Sequence, residues 1–223
     1  MSKTVILIPS RLSATRLPGK PLLKINGISI ISHVVKKAKE ADIGKVYVAT
    51  EDKEILDDVN LNGGKAILTS NKHKTGSDRI FECFKKLDLK DIDYIINLQG
   101  DEPNIDVNDL KHLQRMIEKN KPEIGTLASE IKDKAKLNNE SIVKVVTKSQ
   151  VTNNNFPIAL DFKRKVNDLN LNVLHHIGIY AYKPEVLKKL NNFEQTKNEI
   201  KNRLEQLRAI ENGININVAL AKF

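Results

Sequence analysis

The chain has 223 residues, with 37 Lys and Arg against 28 Asp and Glu, a formal net charge of +9, 40% hydrophobic residues and one cysteine. That length can bury a sizeable core, no apolar run reaches bilayer-spanning length, and a lone Cys83 excludes an internal disulfide and suits a reducing compartment, so cytoplasm is expected. Aromatic residues make up 4% with no Trp, which argues against a stacking surface for single-stranded nucleic acid.

The apolar run of "MSKTVILIPS" is too short for a signal peptide, and residues 4–9 read as a buried strand instead. "SIISHVVKKAKEA" has apolar residues at helical spacing. "KVYVAT" is a strand, and "DKEILDDVNL" a helix opened by Asp52 as N-cap. "KAILTS" is a strand, "SDRIFECFKKL" a helix with Ser77 as cap and Cys83 on its apolar face, and "DYIINLQ" a strand. This β-α-β-α-β-α-β order predicts a mainly parallel α/β sheet with helices on both faces.

Further along, "GTLASEI", "SIVKVVT" and "VLHHIGIYAY" read as strands. "KNEIKNRLEQLRAIEN" reads as one helix closed by Gly213, and "INVALA" as a final strand. Residues 148–172 are polar, Asn-rich and without periodicity, hence loop-like. With no repeat and no clean boundary, residues 1–223 are expected to form one domain with an additional β region.

The segment "SRLSATRLPGKPL" loads the end of the first strand with Arg11, Arg16 and Lys20, while Pro18, Gly19 and Pro21 exclude a helix there. It lacks the glycines of a P-loop or a dinucleotide fingerprint. Side-chain cations must therefore hold any phosphate, and three on one loop suit a triphosphate. After the fourth strand comes "NLQGDEP". Gly100 permits a tight turn there, and Asp101 and Glu102 offer hard oxygen ligands suited to Mg²⁺ on substrate phosphates. Ligands of such sheets bind beyond the carboxyl ends of the strands. Both segments belong to that rim.

"IPSRLSATRLPGKPL", "HKTGSDR", "NLQGDEP", "HHIGIYAY" and "LEQLR", in this order along the whole chain, resemble the 3-deoxy-D-manno-octulosonate (Kdo) cytidylyltransferase family. The resemblance implies a Rossmann-like nucleotidyltransferase fold, a homodimer, Mg²⁺ as cofactor, and CTP and Kdo as substrates for lipopolysaccharide biosynthesis, with no nucleic-acid or membrane partner. Carried onto this chain, it makes Arg11, Arg16 and Lys20 triphosphate-binding and catalytic, with Ser13 beside Ala14 where the family has Ser. It places His73, Ser77 and Arg79 around the cytidine, Gln99 against nucleotide and sugar, and Asp101 on the metal. His176, Tyr180, Glu205 and Gln206 line the sugar pocket.

The chain departs from that pattern in three ways. It stops at Phe223, before a "GVDTPEDL"-like segment that carries a second metal ligand, so slow turnover is expected. Thr152 and Asn153 stand nearest to a Ser-Arg pair of the family, and Lys163 or Arg164 near a further expected arginine. The alternatives carried forward are a cytidylyltransferase for another acidic sugar (8-amino-Kdo or sialic-like), a catalytically impaired CTP-binding homologue, and, on charge alone, a nucleic-acid binder.

Overall fold

The computed structural model describes residues 3–13, 17–133, 135–166 and 172–222. Two compact units divide the chain after Lys111.

The first unit opens with β1 (Thr4–Ser10), buried along nearly its whole length. A helical turn (Lys20–Leu22) and a small hairpin, β2 (Lys24–Ile25) and β3 (Ile28–Ser29), follow. Ser29 caps α1 (Ile30–Glu40) by accepting the Ser32 N–H, and α1 buries Ile30, Ile31, Val34, Val35 and Ala38 on one face, as its period requires. Then come β4 (Lys45–Thr50), α2 (Lys53–Leu61), β5 (Ala66–Leu68), α3 (Gly76–Leu87) and β6 (Tyr94–Asn97). The strands run β6-β1-β4-β5, all parallel, as the alternating pattern predicts. Cys83 is fully buried in α3. Burial, with the Glu82 charge adding to it, pushes its thiol up to about 12.

Two caps differ from expectation. α3 is capped by Thr75, not Ser77: the Thr75 hydroxyl accepts the Asp78 N–H while the Asp78 carboxylate accepts the Thr75 N–H. Ser77 sits inside the first turn, 2% exposed. Asp52 occupies the N-cap of α2 but makes no side-chain bond to it. Its carboxylate instead accepts the Leu12 N–H at 2.7 Å and anchors the loop after β1.

Helix α4 (Val107–Asn120), which the sequence reading leaves unassigned, carries the chain into the second unit. There follow β7 (Ile124–Ser129), α5 (Ala135–Asn138), β8 (Lys144–Thr147), β9 (Ala159–Lys163), β10 (Asn172–Tyr182), α6 (Pro184–Asn192), α7 (Lys197–Asn202), α8 (Gln206–Glu211) and β11 (Ile216–Leu220). β11 pairs parallel with β7, β7 antiparallel with β10, and β8 bridges β10 and β9 in antiparallel register.

Two expectations are corrected here. The stretch at 148–172 is not all loop, because β9 pairs with β8 and buries Phe162. The long helix at 197–212 is two helices, broken at Arg203, whose φ of +54° is left-handed. Gly213, at φ +73°, follows the end of α8 as expected.

Candidate active site

β1 and β6 are neighbours in parallel register, Leu7 opposite Asn97, so their carboxyl ends emerge side by side. A cleft of about 250 Å³ opens there. Arg11 enters it just after β1, Lys20 from the helical turn, His73 and Lys74 from the loop before α3, Arg79 from the first turns of α3, and Gln99 and Asp101 from the turn after β6.

Two glycines shape this rim for different reasons. Gly19 adopts φ +73° and its N–H closes the cationic loop onto the Leu12 carbonyl at 3.0 Å. Gly100 is needed for space, not for a left-handed turn. A Cβ there would stand 2.9 Å from the Pro9 carbonyl oxygen and 3.1 Å from Ile31 Cδ1.

The charges in the cleft are organised in pairs. Lys20 Nζ lies 2.9 Å from Asp101 Oδ2 and 3.3 Å from the Asp101 carbonyl oxygen. Arg79, 3% exposed, donates to Thr69 Oγ1 at 2.7 Å and pairs with Glu51. His73 Nε2 bonds Glu82, which also accepts the Ser70 N–H at 2.9 Å and pairs with Lys86 at 2.7 Å. Burial alone would raise the Glu82 carboxyl. The hydrogen bonds from Lys86, Ser70 and His73 and the Lys86 charge outweigh it and hold the group at about 2. A carboxylate that stays ionised can only accept, so His73 presents a protonated Nε2 to it.

Of the expected residues, Arg11, Lys20, His73, Arg79, Gln99 and Asp101 line the one cleft. Ser77 is buried behind it, its hydroxyl 3.2 Å from that of Thr75. Ser13 is exposed on the loop, and Arg16 lies outside the described residues. Sequence reasoning missed Lys74, Glu51 and Glu82. Lys74 was within reach, inside the quoted "HKTGSDR". The two acids are visible only through their fold-distant or helix-turn partners.

The metal candidate is sparse. Asp101 is half exposed at the rim with Glu102 beside it. Among the described residues no group of three or more His, Cys, Asp and Glu is gathered to hold an ion. Few carboxylates plus substrate phosphates is the usual Mg²⁺ arrangement, and Asp101 fits it.

The sugar-side candidates belong to the second unit. β10 shifts register against β7 between Ile177 and Tyr180. The Thr126 hydroxyl fills the irregularity, donating to the Ile179 carbonyl at 2.7 Å, with His176 Nε2 at 3.1 Å. His176 also meets Phe162 edge-on at 5.0 Å and Tyr180 at 5.3 Å between ring centroids. Burial, with His175 nearby, pushes His176 down to about 3, so it is neutral. Burial pushes the Tyr180 phenol well up, and Tyr182 and Glu205 add to the effect. Glu205, at the N-cap of α8, is therefore electrostatically coupled to Tyr180, and Gln206 is next in the chain. Arg164 is engaged elsewhere: its guanidinium donates to the Glu140, Asn202 and Arg203 carbonyls. Lys163 pairs with Asp161, and Thr152 and Asn153 are exposed.

The chain is similar to known proteins along nearly its whole length. A family model described as cytidylyltransferase matches residues 5–216. The 3-deoxy-manno-octulosonate cytidylyltransferase of Nitrobacter winogradskyi is 40% identical over 227 aligned positions, covering 98% of this chain and 86% of that protein. Its counterpart from Afipia carboxidovorans is 41% identical, covering 97% and 88%. The solved structure of a CMP:2-keto-3-deoxy-manno-octonic acid synthetase complexed with CTP superposes with a TM-score of 0.89 at 37% identity, over 99% of this chain and 90% of that one.

Proposed function

The chain belongs to the cytidylyltransferase family, and from that premise we propose the reaction its cleft carries out. It transfers CMP from CTP to Kdo, giving CMP-Kdo and pyrophosphate for lipopolysaccharide biosynthesis. The observation that carries the reading is the meeting of Arg11, Lys20, Gln99 and Asp101 in one cleft at the carboxyl ends of β1 and β6.

In the proposed reaction the anomeric hydroxyl of Kdo attacks the α-phosphorus of CTP, in line with departing pyrophosphate. Such transfer depends on positioning and on neutralising charge as it develops. Arg11 and Lys20, with Arg16 as a third cation, hold the β- and γ-phosphates and stabilise the leaving group. Lys74 adds positive charge from the α3 side of the cleft. Arg79 is fixed by Glu51 and Thr69 and shapes the nucleoside end together with His73. Asp101 would hold Mg²⁺, which when bound supplies further neutralisation of phosphate charge. Tyr180, His176, Glu205 and Gln206 receive the acidic sugar, and neutral His176 avoids a second titrating charge there. The protein works as a cytoplasmic homodimer.

Pyrophosphate release from CTP and Mg²⁺ tests this, with Kdo, 8-amino-Kdo and a sialic acid as acceptors. Release is expected with Kdo. CTP turnover with another acceptor and none with Kdo would overturn the substrate assignment.

A further inference from the structure

The break between α7 and α8 has no sequence cause of its own. Residues 197–212 contain neither Gly nor Pro, yet Arg203 turns left-handed and ends α7, and α8 begins anew at Gln206. A helix that ends leaves carbonyl oxygens without intrahelical donors. One guanidinium answers them. Arg164 Nε donates to the Asn202 carbonyl at 2.8 Å, Nη2 to the Arg203 carbonyl at 3.2 Å, and Nη1 to the Glu140 carbonyl at 2.9 Å. The planar fork reads two successive carbonyls of the elbow and one from the turn before β8.

Arg164 is itself anchored. Lys144, fully buried in β8, points its ammonium at three carbonyl oxygens: Asn139 at 2.7 Å, Ile142 at 2.8 Å and Arg164 at 2.5 Å. The 139–142 turn, the end of β9 and the elbow are thus joined through two cations and six backbone oxygens. Burial of both elbow partners continues beyond it, where Arg208 of α8 grips Glu199 of α7. Two and three residues past Arg203 stand Glu205 and Gln206.

We propose that Arg164 is a positioning residue for the acidic sugar, clamping the α7–α8 elbow so that Glu205 and Gln206 stand where the sugar meets them. This rests on the reading of Glu205 and Gln206 as sugar-side residues given above. The arginine acts on the substrate through the backbone, and its own guanidinium is spent on carbonyls.

Steady-state kinetics with CTP and Kdo varied separately tests the clamp. Arg164→Ala is expected to raise KM for Kdo about tenfold with KM for CTP little changed. Millimolar guanidinium should recover part of the loss, and Arg164→Lys should fall between. Should Arg164→Ala not yield folded protein, Arg164→Lys is held to the same split. An equal rise in both KM values would overturn the proposal, since that marks general loosening. Glu205→Ala separates the two levels. If it raises KM for Kdo and Arg164→Ala does not, the clamp is wrong. If neither does, the sugar-side reading falls and the clamp with it.

Discussion

Lys20 and Asp101, 81 residues apart in sequence, form an ion pair at 2.9 Å across the mouth of the cleft. The cation proposed for phosphate and the carboxylate proposed for metal therefore hold each other at the rim. Both side chains are substantially exposed, so the pair adds about 0–1 kcal/mol to stability at most. Its value is placement: each partner keeps the other at the rim.

Lys20→Ala should accordingly leave the melting temperature almost unchanged and weaken CTP binding. Loss of charge-assisted phosphate bonds is worth roughly 1.5–3 kcal/mol, or about ten- to a hundredfold in Kd. Asp101→Ala should spare CTP affinity more and remove Mg²⁺-dependent turnover. Calorimetry and pyrophosphate release check both. Unchanged CTP affinity in Lys20→Ala would remove the loop from the site.

The two rim glycines should respond unequally. Gly100→Ala forces a Cβ against the Pro9 backbone, where no rotamer can yield, and is expected to cost about 1–3 kcal/mol while displacing Asp101. Gly19→Ala meets open space and pays for its positive φ alone, about 1 kcal/mol. Urea denaturation ranks them. The opposite order would contradict the close approach of the two strand ends.

The first unit was legible because its signals are local. Apolar runs, helical spacing and short connections give β1, β4, β5 and β6 and place both rim segments at strand ends, while the two-residue strands β2 and β3 are too short to show. Thr75 over Ser77 as the α3 cap is a two-residue choice, decided by the reciprocal bond with Asp78. The second unit hides its signals in tertiary partners. β9 is a strand because β8 pairs with it, not because its residues alternate cleanly. The elbow at Arg203 lies in a run of helix formers and is held by Arg164 from 39 residues away. Lys163 or Arg164 stands near an arginine that the resemblance leads one to expect, and charge alone does not reveal that three carbonyls claim Arg164.

Stability should fall in mild acid through His176. Its imidazole is held at about 3 by burial first and by His175 second, whereas an unfolded His titrates near about 6.5. The unfolded chain takes up a proton between those values and the folded chain does not. Stability is therefore full above pH ~6.5 and declines toward pH ~3, by up to about 1.4 kcal/mol per pH unit. Glu82, held at about 2, contributes above the ordinary carboxylate range and loses its share only as pH falls from about 4.3 toward 2. Between pH 6.5 and 4.5 the difference in unfolding free energy between the parent and His176→Gln should thus shrink steadily. A constant difference across that window would mean that His176 is not buried as a neutral base.

Among the described residues the deepest ion pair joins α7 to α8. Glu199 and Arg208 are each 4% exposed at the side chain. Arg208 Nε donates to Oε2 at 2.8 Å and Nη2 to Oε1 at 2.5 Å, while Nη1 reaches the Leu190 carbonyl at 3.3 Å. Burial would raise the Glu199 carboxyl, but bonds from Arg208, Gln195 and the Thr196 N–H lower it further than burial lifts it, so it remains ionised. Removing one partner strands a charge in the interior. Arg208→Met should cost about 3–5 kcal/mol, and replacing both charges should cost less than replacing one. The comparison to make is Arg208→Met against Arg208→Met with Glu199→Gln, in which the second substitution removes the stranded carboxylate yet keeps an oxygen for the Thr196 N–H. Denaturant unfolding of the two proteins should place the double variant above the single one. A double variant less stable than Arg208→Met alone would mean that Glu199 serves α7 chiefly through its cap and that the pair is not what binds the two helices together.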